Sequence, residues 1–464
     1  MQGIEKLKDK LKLYLATLSE SAQKLLLRSL EKAQQDGSSD IASDFILMVL
    51  REILASEKKL VPLDKAAKKQ FFRDACFFFA EVDLPEKMEA CINPSSVEAI
   101  WSWIKNDIAS QDQRNRLQQD CSYRSKSDID RLTMEWCAEL VLAIKKRLKA
   151  AEKEFGGEQK LIKQLGGDHV FKDLMDILSS SERLTPLKPI LARMAKGIES
   201  WSSPEGADAY QLISRYVQQS PLRSNWVFSA TSKKLETAQL KLELVTKLSG
   251  SNDSTQIFAT AYAPAVHQLI AVMQARVGLA EELVSDLSRQ AETVEHVTEW
   301  RKLLKAMELA LEIPGKTPWG KSLTQMKKRM RELLEEEIEA APSTLRKAFR
   351  APINDELEAV EDDHLSRAIK SASLFKQAEL AKETLALNGP ISDARKELDQ
   401  TFELLNSSLV ERTRKAIGQD THTLEKLHAA SISIAEQLFD KDYAMAFSRQ
   451  LRAASMVQDL KIAG

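Results

Sequence analysis

Gly315-Lys316-Thr317-Pro318-Trp319-Gly320-Lys321-Ser322 satisfies GxxxxGK[ST], the phosphate-loop pattern. That chemistry needs backbone N–H groups curled around phosphate oxygens, a lysine for their charge and a hydroxyl for Mg²⁺. It also needs a buried strand before the loop and a helix after it. The helix is supplied by the pattern over Leu323–Ala341. The strand is not: the preceding WRKLLKAMELALEI is made of helix formers, without a β-branched run. No run of four apolar residues ending in Asp offers the partner carboxylate for a metal. The spacing predicts instead a helix-to-helix turn, in which Gly315 ends one helix and Thr317-Pro318 starts the next.

Two Glu-x-x-His pairs are the other candidates for chemistry, Glu361/His364 and Glu425/His428. Spacing of three on a helix puts both side chains on one face, as in di-metal carboxylate bundles. Such a centre needs further carboxylates from two more helices, and Glu397, Glu403 or Glu411 could supply one. Both histidines fall toward the apolar sides of their helices. Glutamate is abundant, however, and neither pair sits in the dry apolar run that surrounds a buried metal. The sequence favours a histidine tip at a helix interface. It contains no HExxH, GxSxG, CxxC or GxGxxG pattern, and no metal or other cofactor is expected.

The stretch KKQFFRDACFFFAEV concentrates aromatic surface. On a helical wheel Phe71, Phe72, Ala75, Cys76, Phe78, Phe79, Ala80 and Val82 cover more than half the circumference, which predicts a core helix with Phe71, Phe78 and Phe79 inward. Phe77 falls among Arg73, Asp74 and Glu81. Trp103 lies off the stripe formed by Val97, Ile100, Trp101, Ile104 and Ile108. Phe77 and Trp103 are therefore the candidates for binding a partner, since exposed aromatics commonly anchor interfaces.

The elements that would position these residues are helical throughout. Ile4, Leu7, Leu11, Tyr14 and Leu18 recur at three- and four-residue steps, and Ile41–Leu54 reads as a second helix. Asp64 can cap the helix that carries the Phe cluster. Ser95 with Glu98 offers a capping box, and Ile129, Leu132, Trp136 and Leu140 begin a long amphipathic helix ending at Gly156-Gly157. Asp168, Thr185-Pro186 and Ser203-Pro204 mark further starts. SGSNDS (249–254) is the best linker, and Asn388-Gly389-Pro390 reads as a late helix stop. Ser254–Ala275 carries no charge and has the length of a membrane span, but its amides, His267 and Pro264 split it into two helix ends. Lys327–Glu339 runs from basic to acidic, opposite to the helix dipole's preference, and reads as a solvated face with contacts such as Arg331–Glu335. No alternating β-branched run and no fixed repeat period is found.

The fold class is thus all-α, either multi-helix bundles or an irregular elongated α-solenoid without significant sheet. The expected organisation is an N-terminal domain over 1–155 with a Phe-rich core, a middle segment over 156–250, and a C-terminal bundle or solenoid over 251–464. The N-terminal domain is expected to be separable, because all four cysteines and the Phe cluster lie within it. In 464 residues, Lys plus Arg number 67 against 68 for Asp plus Glu, a net charge of −1, which argues against general nucleic-acid binding. The charged start lacks a secretory core, and Cys76, Cys91, Cys121 and Cys137 form no CxxC pair, so a reducing cytoplasm is expected. These features point to a non-enzymatic cytoplasmic scaffold or adaptor acting through protein–protein contacts, with self-association left open. The alternatives are nucleotide binding through Gly315–Ser322 and a di-metal enzyme through the Glu-x-x-His pairs.

Overall fold

The structure, a computed structural model, describes residues 10–12, 14–15, 18, 20–35, 40–57, 63–118, 126–349, 361–415 and 421–462. The Ile4 and Leu7 positions of the N-terminal pattern, and Cys121, lie outside them. Among the described residues there are 20 α-helices and no strand. Three isolated parallel bridges occur, at Phe79–Ile92, Ile198–Leu235 and Asp253–Glu312. The chain divides into two compact units, one of residues 1–76 and 95–181, the other of 77–94 and 182–464.

The first unit contains α1 (Glu20–Gln35), α2 (Ile41–Glu57), α3 (Leu63–Phe71), α4 (Pro94–Trp103), α5 (Gln111–Leu117), α6 (Lys126–Lys153), α7 (Gly157–Leu165) and most of α8 (Asp168–Leu184). α1 packs on α2, and α3 on α6. An aromatic core joins Phe72, Trp101 and Trp136, with ring centroids 6.1 and 5.6 Å apart. Both indoles are satisfied: Trp101 donates to Asp64 at 3.1 Å and Trp136 to the Gln113 carbonyl at 3.3 Å. α4 begins at Pro94, one residue before Ser95. Glu98 pairs with Lys68. α7 ends in two left-handed glycines, Gly166 and Gly167, whose N–H groups return to Lys163 and Ile162.

The Phe run does not continue as one helix. α3 stops at Phe71, Ala75–Phe78 forms a 3-10 turn, and the chain is extended by Phe79. Residues 77–94 belong to the second unit as a closed loop. Its ends meet through the N–H of Ile92 on the Phe78 carbonyl and the N–H of Ala80 on the Ile92 carbonyl, both 2.8 Å. Asn93 clamps the middle, accepting from the Leu84 N–H and donating to the Leu84 carbonyl. Phe78 is fully buried, edge-on to Trp226 at 4.7 Å. Phe72 and Phe78 are the interior members of the run, whereas Phe71 and Phe79 are half-buried.

The rest of the second unit contains α9 (Lys188–Arg193), α10 (Pro204–Gln219), α11 (Ser224–Ser232), α12 (Ala238–Ser249), α13 (Ser254–Phe258), α14 (Ala263–Leu283), α15 (Gln290–Ala310), α16 (Pro318–Ala348), α17 (Asp362–Ala381), α18 (Asn388–Lys415), α19 (Thr421–Leu438) and α20 (Lys441–Ile462). From α14 onward each helix packs on the one two places along: α14 on α16, α15 on α17, α16 on α18, α17 on α19 and α18 on α20. This alternation between two layers is the packing rule of α-solenoids. The buried stripe of α16 (Leu323, Met326, Met330, Leu334, Ile338, Ala341, Leu345) shows the three- and four-residue spacing that such packing needs. SGSNDS makes a turn within this unit, with Gly250 left-handed after α12 and Asp253 capping α13. Asn388-Gly389-Pro390 starts α18 rather than ending α17. The break falls earlier, where Ala386 takes a left-handed φ of 55°. No described helix is long and apolar enough to cross a membrane.

Candidate functional site

The GxxxxGK[ST] segment joins α15 to α16 without a preceding strand. α15 runs to Ala310, and Glu312 makes the bridge to Asp253. Thr317 is the N-cap of α16 and Pro318 follows in its first turn. The Thr317 hydroxyl donates to the Pro314 carbonyl at 2.7 Å and accepts from the Gly320 N–H at 3.1 Å. The N–H of Thr317 bonds the Pro314 carbonyl at 3.0 Å, that of Lys321 bonds the Thr317 carbonyl at 2.9 Å, and Pro318 has none. The N–H groups of 317, 320 and 321 are therefore committed to the helix start and cannot cradle a phosphate. Gly320 has a steric reason to be glycine, since a Cβ there would lie 2.1 Å from the Pro314 carbonyl oxygen.

The same construction occurs at the start of α10. The Ser203 hydroxyl donates to the Ser200 carbonyl at 2.9 Å and accepts from the Gly206 N–H at 3.0 Å. A Cβ on Gly206 would lie 2.2 Å from the Ser200 carbonyl oxygen. In each corner the residue five before the cap forms a parallel bridge, Ile198 with Leu235 and Glu312 with Asp253. Ser/Thr-Pro-x-Gly is thus a corner motif of this fold, and Lys321, exposed on the first turn of α16, is incidental to it.

The two Glu-x-x-His pairs do not converge. His364 faces Glu361 at 3.5 Å. His428 reaches α18, where its Nε2 is 2.8 Å from the Thr413 hydroxyl. That hydroxyl donates to the Leu409 carbonyl at 2.7 Å, so Nε2–H of His428 is the donor. Burial pushes the His428 pKa below its ordinary value, which fits an interface histidine. Glu397 pairs with Arg346 and Glu411 with Lys415, while Glu403 points outward. Among the described residues no three His, Cys, Asp or Glu side chains group to hold a metal ion.

Trp103 is 3% exposed, which corrects the surface position expected of it. Trp103 is the last residue of α4, and Ile104–Ile108 follows as a π-turn closed by the Ala109 N–H on the Ile104 carbonyl. Ile100, Trp101, Trp103 and Ile104 are all buried, so this helix end is enclosed on more than one side. Phe77 is half-buried in the 3-10 turn.

A different surface carries the unexplained apolar area. A groove of about 500 Å³ runs between the C-terminal halves of α15 and α17. Buried Leu304 and Ala381 line it alongside Leu309 and Leu380, which are 70% and 53% exposed. Its charges are uneven. Glu308 is bonded to Lys327 at 2.6 Å, and Glu379 to Lys376 and Arg395 at 3.5 Å, so both lining carboxylates are engaged. Arg301 donates to the Gln377 amide oxygen at 3.1 Å and has no ion pair within 4 Å among the described residues. Lys305 and Lys382 have no ion-pair partner among the described residues, and only Glu383 balances them.

The chain matches no known protein family, no curated protein and no solved structure.

The groove was within reach of sequence reasoning. Leu309 falls off the Trp300, Leu303, Leu304, Met307 stripe of α15, and Leu380 off the Leu374, Phe375, Ala378, Ala381 stripe of α17. Off-stripe leucines on two helices were the available signal. That the two helices are neighbours was not.

Proposed function

We propose that the chain is a non-enzymatic helical scaffold that binds a partner protein through the groove between α15 and α17. The observation that carries this reading is the pair of exposed leucines in one groove whose cations outnumber its unengaged carboxylates. The occupant that fits is an amphipathic helix of another protein, with two apolar anchors for Leu309 and Leu380 and acidic side chains toward Arg301, Lys305 and Lys382. Two-layer helix stacking supports the reading, because it presents long grooves on a rigid frame. We place this function in the cytoplasm. Cys91 and Cys137 are buried thiols, and burial pushes the Cys137 thiol up to about 12, so it packs as a small hydrophobe.

Quantitative capture from cells of the source organism tests the proposal, comparing the parent chain with Leu309→Asp/Leu380→Asp and with Leu404→Asp, an exposed leucine on α18. We expect specific partners lost from the double variant, kept by Leu404→Asp, and bound through acidic amphipathic segments. Identical capture by all three chains would refute the groove.

A further inference from the structure

A cavity of about 370 Å³ lies where the C-terminal end of α14 meets α16 and α17. It shares no lining residue with the groove. Arg367, Lys370 and Ser371 stand on one face of α17, Glu337, Ala340 and Thr344 on one face of α16, and Val284 and Ser285 follow α14. Lys370 is 6% exposed, and its role is plain: its ammonium donates to the Val284 carbonyl at the α14 C-cap and lies 3.7 Å from Glu337. A cation there offsets the negative end of α14.

The remaining groups are not accounted for by the fold. Arg367 is exposed and has no ion-pair partner among the described residues. The hydroxyls of Ser285, Thr344 and Ser371 make no hydrogen bond there either. Some helical hydroxyls of this chain return to the carbonyl four residues back, as Ser373 does to Ile369 at 2.9 Å and Thr298 to Val294 at 2.7 Å, whereas the buried hydroxyls of Ser96, Ser254, Ser371 and Ser431 have no partner among the described residues. Thr344 and Ser371 sit inside helices and make no such return. Ser371 is 4% exposed, and a buried hydroxyl without a partner is costly, so a ligand that accepts from it removes that cost.

The lining carries two cations against one carboxylate. Burial pushes the Glu337 pKa up, against the pull of Lys370. Three hydroxyl donors and the guanidinium fork of Arg367, beside the already engaged ammonium of Lys370, suit a ligand that is all acceptor and negatively charged. A cation would meet Arg367 and Lys370. We propose that this cavity binds a phosphate group, either as the free ion or as a phosphate monoester.

Calorimetric titration of the full chain at low ionic strength, with inorganic phosphate and separately with methyl phosphate, tests this. We expect one saturable site. Arg367→Ala, a surface change, should weaken it about tenfold or more, or about 1.4 kcal/mol. Ser371→Ala, a small change, should weaken it by about threefold or more. Arg452→Ala, an exposed arginine on α20, should leave it unchanged. Binding of inorganic phosphate alone assigns the free ion, and equal or tighter binding of methyl phosphate assigns the monoester. No saturable binding of either below about 10 mM, or binding that Arg367→Ala and Ser371→Ala leave within about twofold, would overturn the assignment.

Discussion

Gly320→Ala separates a helix corner from a phosphate loop more sharply than any change to Lys321. The new Cβ would lie 2.1 Å from the Pro314 oxygen, 2.8 Å from Gly315 Cα and 2.9 Å from the Pro314 carbonyl carbon. All three are backbone atoms, and ordinary contact begins near 3.4 Å, so the start of α16 must retreat by more than 1 Å. That retreat breaks the bond from the Thr317 N–H to the Pro314 carbonyl, that from the Thr317 hydroxyl to the same oxygen, and that from the Gly320 N–H to the hydroxyl. At about 0.5–1.5 kcal/mol each, the loss is about 2–4 kcal/mol. Alanine's better helix propensity returns about 1 kcal/mol. We expect a net destabilisation of about 1–3 kcal/mol, read from urea unfolding followed by far-UV circular dichroism. Gly315→Ala, with nothing within 4 Å of its Cβ, should stay within about 0.5 kcal/mol of the parent, as should Lys321→Ala. A phosphate loop would need both glycines and the lysine. Gly320→Ala as stable as the parent, Gly315→Ala equally damaging, or ATP binding that Lys321→Ala abolishes would refute the reasoning.

Phe78→Ala should cost about 3–5 kcal/mol in the same denaturation assay, because it empties a fully buried site against Trp226, and Phe77→Ala clearly less. Equal losses would mean that Phe77 is core too. Acid should act in two stages. Burial depresses His267, His296 (with Arg276 adding to it) and His428, so the unfolded chain takes up protons first and stability falls as the pH drops below about 6.5. At Glu81 burial pushes the pKa up, but Lys241 and Arg276 outweigh it and hold the carboxyl below its ordinary 4.5. Its contribution is present above about 4.5 and lost as the pH falls further, so Glu81→Gln should flatten part of the second stage in a pH series of melts. Unchanged stability between about pH 7 and 5 would contradict the histidine assignment.

Local chemistry carried most of the fold. The α16 stripe, the Thr317-Pro318 and Ser203-Pro204 starts, and the Gly156-Gly157 and Gly166-Gly167 breaks are each set by residues within a few positions, and each was legible. The failures lie where distant residues decide. Phe71–Val82 has a helical pattern, yet Phe78 turns into Trp226 and Asn93 fastens Leu84, so the loop is held by contacts no wheel displays. Trp103 was misplaced because its helix end is enclosed on more than one side, so a residue off the apolar stripe is buried too. Asn388-Gly389-Pro390 suits either end of a helix, and the left-handed residue that marks the break is Ala386, an alanine, where glycine would be expected. Leu309 and Leu380 were visible as off-stripe residues, but their common groove exists only through the packing of α15 on α17.

The docking groove is tested most directly by placing a photo-crosslinking residue at 380, and separately at 404, and mapping the cross-linked peptides by mass spectrometry from cells of the source organism. We expect position 380 to capture a discrete segment of another protein, acidic and apolar at helical spacing, and position 404 not to capture it. Cross-links from 380 to basic or scattered sequences, or the same peptides from both positions, would contradict the groove as the site of function.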